Sequence, residues 1–521
     1  MRASTMIRVA TCLSLVAALA VPALAAVGDL ENGAKVYEHR CVQCHGVDGD
    51  GKGPGADFML PRPRIFGDNG SYKFRTTPPA ELPTDQDLFE IISVGIPGSS
   101  MPGFDVLSEE DRWDVIEYIK SLNEDFADEE FMESAVTMDP LIGEVVAPPS
   151  TPESITAGKE AFTTAQCHTC HGEMGRGNGS AGQELKDDWG TPILPRNLTN
   201  PESYRGGSSS YDIFRTITTG LNGSPMASYA ESLSDEQRWN VVHYVESLHP
   251  PKKKSRDEIV LANRVDAIPV DEDGWNETPA ARFKLLPNMI TPPRLFWSSV
   301  EFVTVQALYT NDEIALRIQW DDRSESTGTN ADHAYKDRDT KVYRATDHPD
   351  QFVVQFPVKN DPSVRPYFMM GDGKRAVNLW WWQSGVDGIS EMNAKGFGSQ
   401  KAQAEISQQL GGGVTYADGR YTMIVRRPIT TDLVKRDAQF ETGVFTPIAF
   451  NVWDGSRGEV GNRRSVSTWY WLYLRAPLPE TVNTYPPFAF FLSLGLLLIV
   501  VAAVRRRVGD GSEDDGGDAE A

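Results

Sequence analysis

Two short motifs contain four of the five cysteines of the chain, at Cys41–His45 and Cys167–His171. Each has the pattern Cys-x-x-Cys-His, the attachment signature of c-type haem. Two thiols three positions apart can add to the two vinyl groups of one porphyrin, and the next histidine then lies beneath the iron. A disulfide, a thioredoxin-like redox pair and half of a zinc site share the cysteine spacing, but a redox pair does not need the histidine and zinc needs further ligands. The sequence therefore predicts two covalent haems at Cys41, Cys44, Cys167 and Cys170, with His45 and His171 as iron ligands.

One methionine follows each motif at nearly the same distance. Met101 lies 60 residues after Cys41, and Met226 lies 59 residues after Cys167. Both stand in loops rich in Gly, Ser and Pro, whereas a core methionine usually belongs to a periodic apolar stretch. We expect both to be distal iron ligands, and because thioether ligation favours Fe(II), the haems should transfer electrons rather than activate oxygen. Four further histidines of the two copies are interpreted as surface groups: His39, His168, His243 and His249.

The elements that must position these groups are duplicated. An offset of 126 residues relates Cys41 to Cys167 and Trp113 to Trp239. Around the tryptophans, SMPGFDVLSEEDRWDVIEYIKSLN matches PMASYAESLSDEQRWNVVHYVESLH, and the serine before acidic residues predicts a helix start in each copy. One helical unit has therefore been repeated.

Both copies resemble class I cytochrome c domains, on the motifs just described. The resemblance implies two all-α domains, at residues 27–125 and 156–250, each holding one haem c. Residues 126–155 between them are first acidic and then rich in proline, which indicates a linker of limited reach.

The composition restricts the class of protein further. The 521 residues are 40% hydrophobic and 24% charged, which excludes a disordered chain and a multi-spanning membrane protein. A net charge of −23 at pH 7 would repel nucleic acid and attract a cationic protein patch.

The two ends predict the compartment. Residues 1–26 have a basic start, a short apolar run and small residues at their end, as in a secretory signal. Phe488–Val504 has 17 residues without a charge, and Arg505–Arg507 follow. We prefer a transmembrane anchor at 485–507 over a buried core helix, with the acidic tail 508–521 in the cytoplasm. The chain is thus expected in the cytoplasmic membrane as a single-pass protein, with its haem domains on the periplasmic, extracytoplasmic side.

Between residues 265 and 475, strand alternation replaces helical periodicity. Val300–Trp320 predicts two strands joined at Thr310–Asp312. Further candidate strands are Gln351–Val358, Ala376–Gln383, Arg420–Arg427, Thr446–Trp453 and Ser467–Leu474. The predicted fold is therefore multidomain, with two all-α cytochrome c domains, an all-β antiparallel sandwich and one C-terminal transmembrane helix.

The strand-rich region resembles the haem-b-binding gamma subunit of ethylbenzene dehydrogenase and other type II DMSO reductase family enzymes. The resemblance rests on Phe368–Gly371, Val377–Trp380, Val425–Pro428 and Pro447–Ser456. It implies a non-covalent haem b held by Met and Lys, with the methionine at Met370 or Met369.

The lysine is where the sequence departs from this family. After Ser456 the chain reads Gly461-Asn462-Arg463-Arg464-Ser465, and a guanidinium offers no lone pair to iron. Either another residue supplies the bond, or the haem is bound differently or has been lost. The lysines considered for the second ligand are Lys374, Lys395, Lys401 and Lys435.

The sequence contains no nucleophile–base set or phosphate loop, so we interpret the protein as an electron carrier and not an enzyme. The resemblances imply a subunit that transfers electrons between molybdenum and iron–sulfur oxidoreductase subunits and the respiratory chain or a soluble cytochrome. The alternative is a dihaem cytochrome c with a haem-free β-sandwich that binds a carbohydrate or a partner protein.

Overall fold

The structure is a computed structural model. It describes residues 28–67, 72–77, 82–127, 146–187, 189–190, 192–251, 258–328, 334–337, 342–345, 348–361, 363–477 and 485–509. The predicted signal segment 1–26, the acidic part of the linker and nearly all of the predicted tail lie outside these residues. The chain divides into two compact units, one mainly helical and one built on β-strands.

The helical unit contains two copies of one arrangement. The helices of the first copy are α1 (Leu30–Arg40), α2 (Val42–His45), α3 (Asp85–Val94) and α4 (Glu109–Ser121). Those of the second copy are α5 (Pro152–Thr164), α6 (Cys167–His171), α7 (Ser210–Thr219) and α8 (Asp235–Ser247). Ser108 caps α4 and Ser234 caps α8, each accepting a hydrogen bond from the third N–H of its helix. Both helix starts predicted from the sequence are therefore present.

A glycine lets the first and last helices of each copy pack closely. A Cβ on Gly33 in α1 would lie 2.0 Å from the carbonyl oxygen of Asp114 in α4. In the second copy, a Cβ on Gly158 would lie 1.9 Å from that of Asn240. No side chain fits at either crossing. Because α2 and α6 follow α1 and α5 almost directly, these crossings position the two Cys-x-x-Cys-His segments.

The two copies also pack against each other within the helical unit. Arg75 of the first copy is fully buried, and its Nη2 donates to the carbonyl oxygen of Thr219 in the second copy at 3.3 Å. The guanidinium of Arg62 lies 5.4 Å from the ring centre of Trp189. A buried charge needs such specific partners, so these contacts favour one arrangement of the two copies.

The structure describes sixteen β-strands, and all of them except the two within residues 333–345, which belong to the first unit, build the second unit. They are β1 (Ile259–Arg264), β2 (Ala280–Lys284), β3 (Leu286–Pro287), β4 (Phe302–Tyr309), β5 (Glu313–Asp321), β6 (Ala334–Asp337), β7 (Val342–Ala345), β8 (Gln351–Pro357), β9 (Val377–Gln383), β10 (Ser390–Ala394), β11 (Lys401–Ala402), β12 (Gly411–Ala417), β13 (Arg420–Pro428), β14 (Phe445–Trp453), β15 (Ser465–Val466) and β16 (Tyr470–Leu474). The strands expected from the sequence coincide with β4, β5, β8, β9, β13, β14 and β16. The strands β6 and β7 pair only with each other.

The main sheet folds into two layers. Its strand order is β11-β10-β9-β8-β14-β16-β1-β4-β5-β13-β12. The first half of β14 pairs with β16 and the second half with β8, so this strand passes from one layer to the other. Trp320 of β5 stacks on Phe352 of β8 at 4.3 Å although these strands are not neighbours in the sheet. The two layers therefore face each other across an aromatic core, as in a β-sandwich.

One strand differs from the antiparallel arrangement that we expected. β1 pairs in parallel with both β16 and β4, while the other pairings between the described strands are antiparallel. Parallel neighbours require a long connection, and residues 265–301 supply it between β1 and β4.

The last described element is α9 (Tyr485–Gly509). Its segment Ala489–Arg506 has a mean hydropathy of 2.0, and none of it is buried. A helix of 25 residues is about 37 Å long, which exceeds the bilayer core of about 30 Å. Among the described residues it is the one helix long and apolar enough to cross a membrane.

Candidate haem-binding sites

In the first copy, the predicted haem residues line one apolar cavity: Cys41, Cys44, His45 and Met101. His45 is buried, and its Nδ1 lies 3.1 Å from the carbonyl oxygen of Arg64. An Nδ1–H that donates to this carbonyl leaves Nε2 with its lone pair, the usual state of a metal-binding histidine. Burial also lowers the pKa of His45 to about 4, so the imidazole is neutral at pH 7.

The second copy repeats this arrangement. Its cavity is lined by Cys167, Cys170, His171 and Met226. The Nδ1 of His171 lies 2.9 Å from the carbonyl oxygen of Arg196. Both cavities thus combine two thiols, an oriented imidazole and a thioether.

Each methionine is held by a tight turn that begins where a helix ends. Gly95 ends α3 and Gly220 ends α7, with φ angles of 75° and 66°. A Cβ at Gly95 would lie 2.7 Å from the carbonyl oxygen of Met101, and one at Gly220 would lie 2.8 Å from that of Met226. The N–H of the residue after each glycine donates to the same carbonyl, at 3.0 and 2.9 Å. Glycine is therefore needed in both turns, and the turns place both methionines at the cavity walls.

The state of the thiols separates the chemistries that share this spacing. Burial raises the pKa of Cys41 to about 12 and that of Cys167 to about 11. A redox-active pair needs the opposite shift, because the thiolate is the nucleophile. The four described cysteines form no disulfide, and no described group of three potential metal ligands includes any of them. The chemistry that fits these cavities is therefore covalent attachment of haem.

The two cavities share a wall. Lys73, Phe74 and Arg205 line both of them. A Cβ on Gly206 would lie 3.0 Å from the ring of Phe74, so this glycine lets the second copy approach the ring. Cationic side chains at such cavities suit the carboxylates of a haem. Other cations line a single cavity, with Arg62 at the first and Arg196 at the second.

One histidine does not lie where the sequence suggested. His243 was expected at the surface, but it is only 3% exposed. Its Nδ1 lies 2.9 Å from Oγ of Ser154, and its Nε2 lies 3.1 Å from the carbonyl oxygen of Pro148. His243 therefore fixes the described end of the linker to α8. The polar sequence around His243 gives no sign of this contact, because its partners lie far away along the chain. His39 is exposed, and His168 and His249 are half-buried.

The methionine predicted for haem b lies in a small hydrophobic cluster that is separate from the main core of the β-sandwich. Met370 is fully buried and Met369 nearly so. The Nε2 of Gln400 lies 2.9 Å from the Met370 sulfur. The proposed second ligands are all exposed on the surface: Lys374, Lys395, Lys401 and Lys435.

An arginine occupies the segment in which the resemblance places the lysine. Arg464 is fully buried, and its guanidinium lies 4.3 Å from the ring centre of Phe397 and 5.5 Å from that of Trp453. Its Nε donates to Oδ1 of Asn451 at 2.8 Å. A guanidinium cannot bind iron, so Arg464 does not supply the second haem b ligand in the segment where the resemblance places it.

Two family models match the chain. The cytochrome c model matches residues 30–123 and 155–249, and the ethylbenzene dehydrogenase model matches residues 272–409. The tandem cytochrome c domains and the ethylbenzene dehydrogenase-like domain expected from the sequence are thereby confirmed.

Similar proteins were found among curated sequences and solved structures. The "Putative respiratory nitrate reductase heme subunit ORF7" of Haloferax mediterranei is 30% identical over 267 residues, which cover 49% of this chain and 85% of that protein. A chain of the Kuenenia stuttgartiensis reducing HAO-like protein complex is 42% identical, covers 43% of this chain and 97% of its own length, and has a TM-score of 0.39. A carbohydrate binding module of family 9 from Caldicellulosiruptor kristjanssonii is 7% identical, with coverages of 43% and 98% and a TM-score of 0.24. Both TM-scores lie below 0.5, so neither establishes a shared fold.

Proposed function

This chain belongs to the family of the Haloferax mediterranei haem subunit, and we propose that it is a membrane-anchored, extracytoplasmic dihaem cytochrome. It joins tandem cytochrome c domains to an ethylbenzene dehydrogenase-like domain. It transfers electrons between a molybdenum oxidoreductase and the respiratory chain or a soluble cytochrome. The coarser role, an electron-transfer component of a respiratory oxidoreductase, follows from the family.

The observation that carries the proposal is a pair of cavities with the same donors and one common wall. His45 and Met101 would hold one iron, and His171 and Met226 the other. When bound, haem supplies one-electron chemistry. With a histidine and a methionine both bound, neither iron would have an open position, which would favour electron transfer over catalysis at the metal. The apolar linings exclude water, and Lys73 and Arg205 place positive charge at both sites.

The other parts of the chain supply attachment and docking in this proposal. α9 anchors the protein, and Arg505 and Arg506 at its end favour the cytoplasmic side for its C-terminus. The β-sandwich docks on the iron–sulfur subunit of the molybdenum enzyme. No substrate is converted by the chain itself.

Co-purification tests this assignment. Full-length protein from detergent-solubilised membranes should bring with it a molybdenum-containing subunit, and substrate of that enzyme should change the redox state of the cytochrome absorption bands. A variant truncated after residue 484 serves as the control, because it should keep its haems but appear in the soluble fraction. Isolation of the full chain without any molybdenum subunit, from cells that express one, would contradict the proposal.

Arg205 is one of the two cations that line both cavities, so its removal should affect the reduction potentials of both haems. We expect Arg205→Gln to lower both reduction potentials by tens of millivolts, since removing nearby positive charge favours the oxidised iron, and ~60 mV corresponds to a factor of ten for one electron. A spectroelectrochemical titration measures the two potentials. Arg62→Gln should shift only the first haem and Arg196→Gln only the second, whereas Arg205→Lys should shift neither strongly. If Arg205→Gln shifted the reduction potential of only one haem, that result would contradict a wall shared by the two cavities.

Because Arg464 stands where the resemblance places the lysine ligand of haem b, we expect the chain to carry haem c alone. A pyridine haemochrome spectrum of the purified full chain should show c-type haem alone, with two haems per polypeptide. Extraction with acidified acetone should leave all haem on the protein, because thioether bonds survive while non-covalent haem is removed. Met370→Leu should leave the spectrum unchanged. An extractable b-type band that disappears in this variant would show that Met370 binds haem b after all.

A further inference from the structure

Three aspartates meet at one end of the β-sandwich. Asp322 directly follows β5, Asp350 directly precedes β8 and Asp454 directly follows β14. All three are buried, with 3%, 0% and 1% of their surfaces exposed. One carboxylate oxygen from each lies within 4.8 Å of the others. Because β5 belongs to one layer and β8 to the other, the three carboxylates join strand ends from both layers.

The carboxylate of Asp350 is surrounded by hydrogen-bond donors. Its Oδ2 receives hydrogen bonds from the N–H of Ser326 and the hydroxyl of Tyr421, each at 2.7 Å. Its Oδ1 receives the N–H of Gly455, also at 2.7 Å. Three donors stabilise a carboxylate ion, yet Asp350 is fully buried and lies beside the carboxylate of Asp454, which repels its charge. The three hydrogen-bond donors favour the charged form of Asp350, whereas the neighbouring carboxylate disfavours it. A bound cation would offset the repulsion between the two carboxylates.

One buried oxygen at this place, Oδ2 of Asp322, accepts no hydrogen bond from the described residues. Glu459 is 1% exposed, and its Oε2 accepts the N–H of Asp454 at 3.2 Å, so a fourth carboxylate adjoins the three aspartates. An unpaired buried carboxylate oxygen is costly unless a ligand completes it.

Among the described residues, the positive charges that interact with these four acids are too few to balance them when all four are ionised. Arg323 interacts electrostatically with Asp322, and Arg457 with both Asp454 and Asp322. Four carboxylates against two guanidinium groups leave a deficit of two positive charges. A divalent cation matches that deficit.

We propose that Asp322, Asp350 and Asp454 bind a calcium ion, with Glu459 beside it. Ca²⁺ takes six to eight oxygen ligands at about 2.3–2.6 Å, so ligands on opposite sides of the ion lie about 5 Å apart. The oxygens of the three aspartates fit within that span. Mg²⁺ requires shorter bonds of about 2.1 Å and retains several waters, which suits a dry, carboxylate-rich site less well. The ion would clamp strand ends of both layers.

Calcium-dependent stability of the full chain in detergent tests the proposal. Protein treated with EDTA and dialysed should melt at a higher temperature in ~10 mM CaCl₂, which lies well above the dissociation constants of about 0.1–1 mM of typical extracellular sites, while the haem spectrum stays unchanged. Asp322→Asn should abolish the shift. Because this variant removes one repelling charge, its metal-free form should melt no lower than the metal-free wild type, which separates loss of the ion from misfolding.

Asp321→Asn provides the matched control, since Asp321 is adjacent in sequence but pairs with Nε of Arg420 at 2.7 Å. This variant should keep the full response to CaCl₂. The proposal is overturned if calcium gives no shift in the wild type, if Asp322→Asn responds as the wild type does, or if MgCl₂ at the same concentration gives an equal shift.

Discussion

Replacing Cys167 and Cys170 with serine is expected to halve the covalent haem content of the chain. These thiols line the second cavity only, and serine hydroxyls do not form thioether bonds. The first cavity has its own complete donor set, so one haem should remain attached. Haem staining of a denaturing gel, together with the haemochrome absorbance per polypeptide, measures the loss.

The duplication supplies the controls for this experiment. The Cys41→Ser, Cys44→Ser double variant should also retain one haem, and the quadruple variant should retain none. Cys12→Ser, in the predicted signal segment, should retain both. Full haem content in either double variant would show that its cysteines do not attach haem.

Replacing Met226 with histidine is expected to lower the reduction potential of one haem by a few tenths of a volt, within the ~0.8 V range over which axial ligands set haem potentials. The thioether favours Fe(II), whereas a second imidazole stabilises Fe(III) more strongly. Because Met101 is untouched, the other haem should move by no more than a few tens of millivolts. A spectroelectrochemical titration separates the two transitions.

Met174 is the matched control, since it lies 41% exposed just after the second Cys-x-x-Cys-His segment and does not line the cavity. Met174→His should leave both potentials unchanged. Equal potentials in Met226→His and the wild type would mean that another group binds the second iron.

The candidate haem-binding residues that line the two cavities could be identified from the sequence because their chemistry depends on local spacing. Cys-x-x-Cys-His is a continuous segment, and Met101 and Met226 stand in turns that follow it at nearly the same distance in both copies. The duplication made each copy a check on the other. The structure adds the cause, which is that Gly95 and Gly220 permit the turns that carry these methionines.

The shared wall could not be predicted in this way. Lys73, Phe74 and Arg205 come from different copies and meet only because the two copies pack together. The proximity of Asp322, Asp350 and Asp454 could not be predicted either, since each of them looks in the sequence like an ordinary polar residue at the end of a strand. Their proximity depends on the crossing of β14 between layers, which no local pattern reveals.

Two of the strands that the sequence missed share a physical feature. β10 (Ser390–Ala394) and β12 (Gly411–Ala417) are polar or glycine-rich, so they lack apolar alternation. β12 lies at the edge of the sheet, where one side of the backbone has no partner strand. Pairing with β9 and β13 selects these segments as strands, and their own propensity does not.

Two covalently bound haems are the premise of every electron-transfer property described above. Intact-mass spectrometry of the mature protein, isolated from the membrane after export, tests this premise most directly. We predict the mass of the processed polypeptide plus two haem groups. A mass equal to the polypeptide alone, or to the polypeptide plus a single haem, would contradict it.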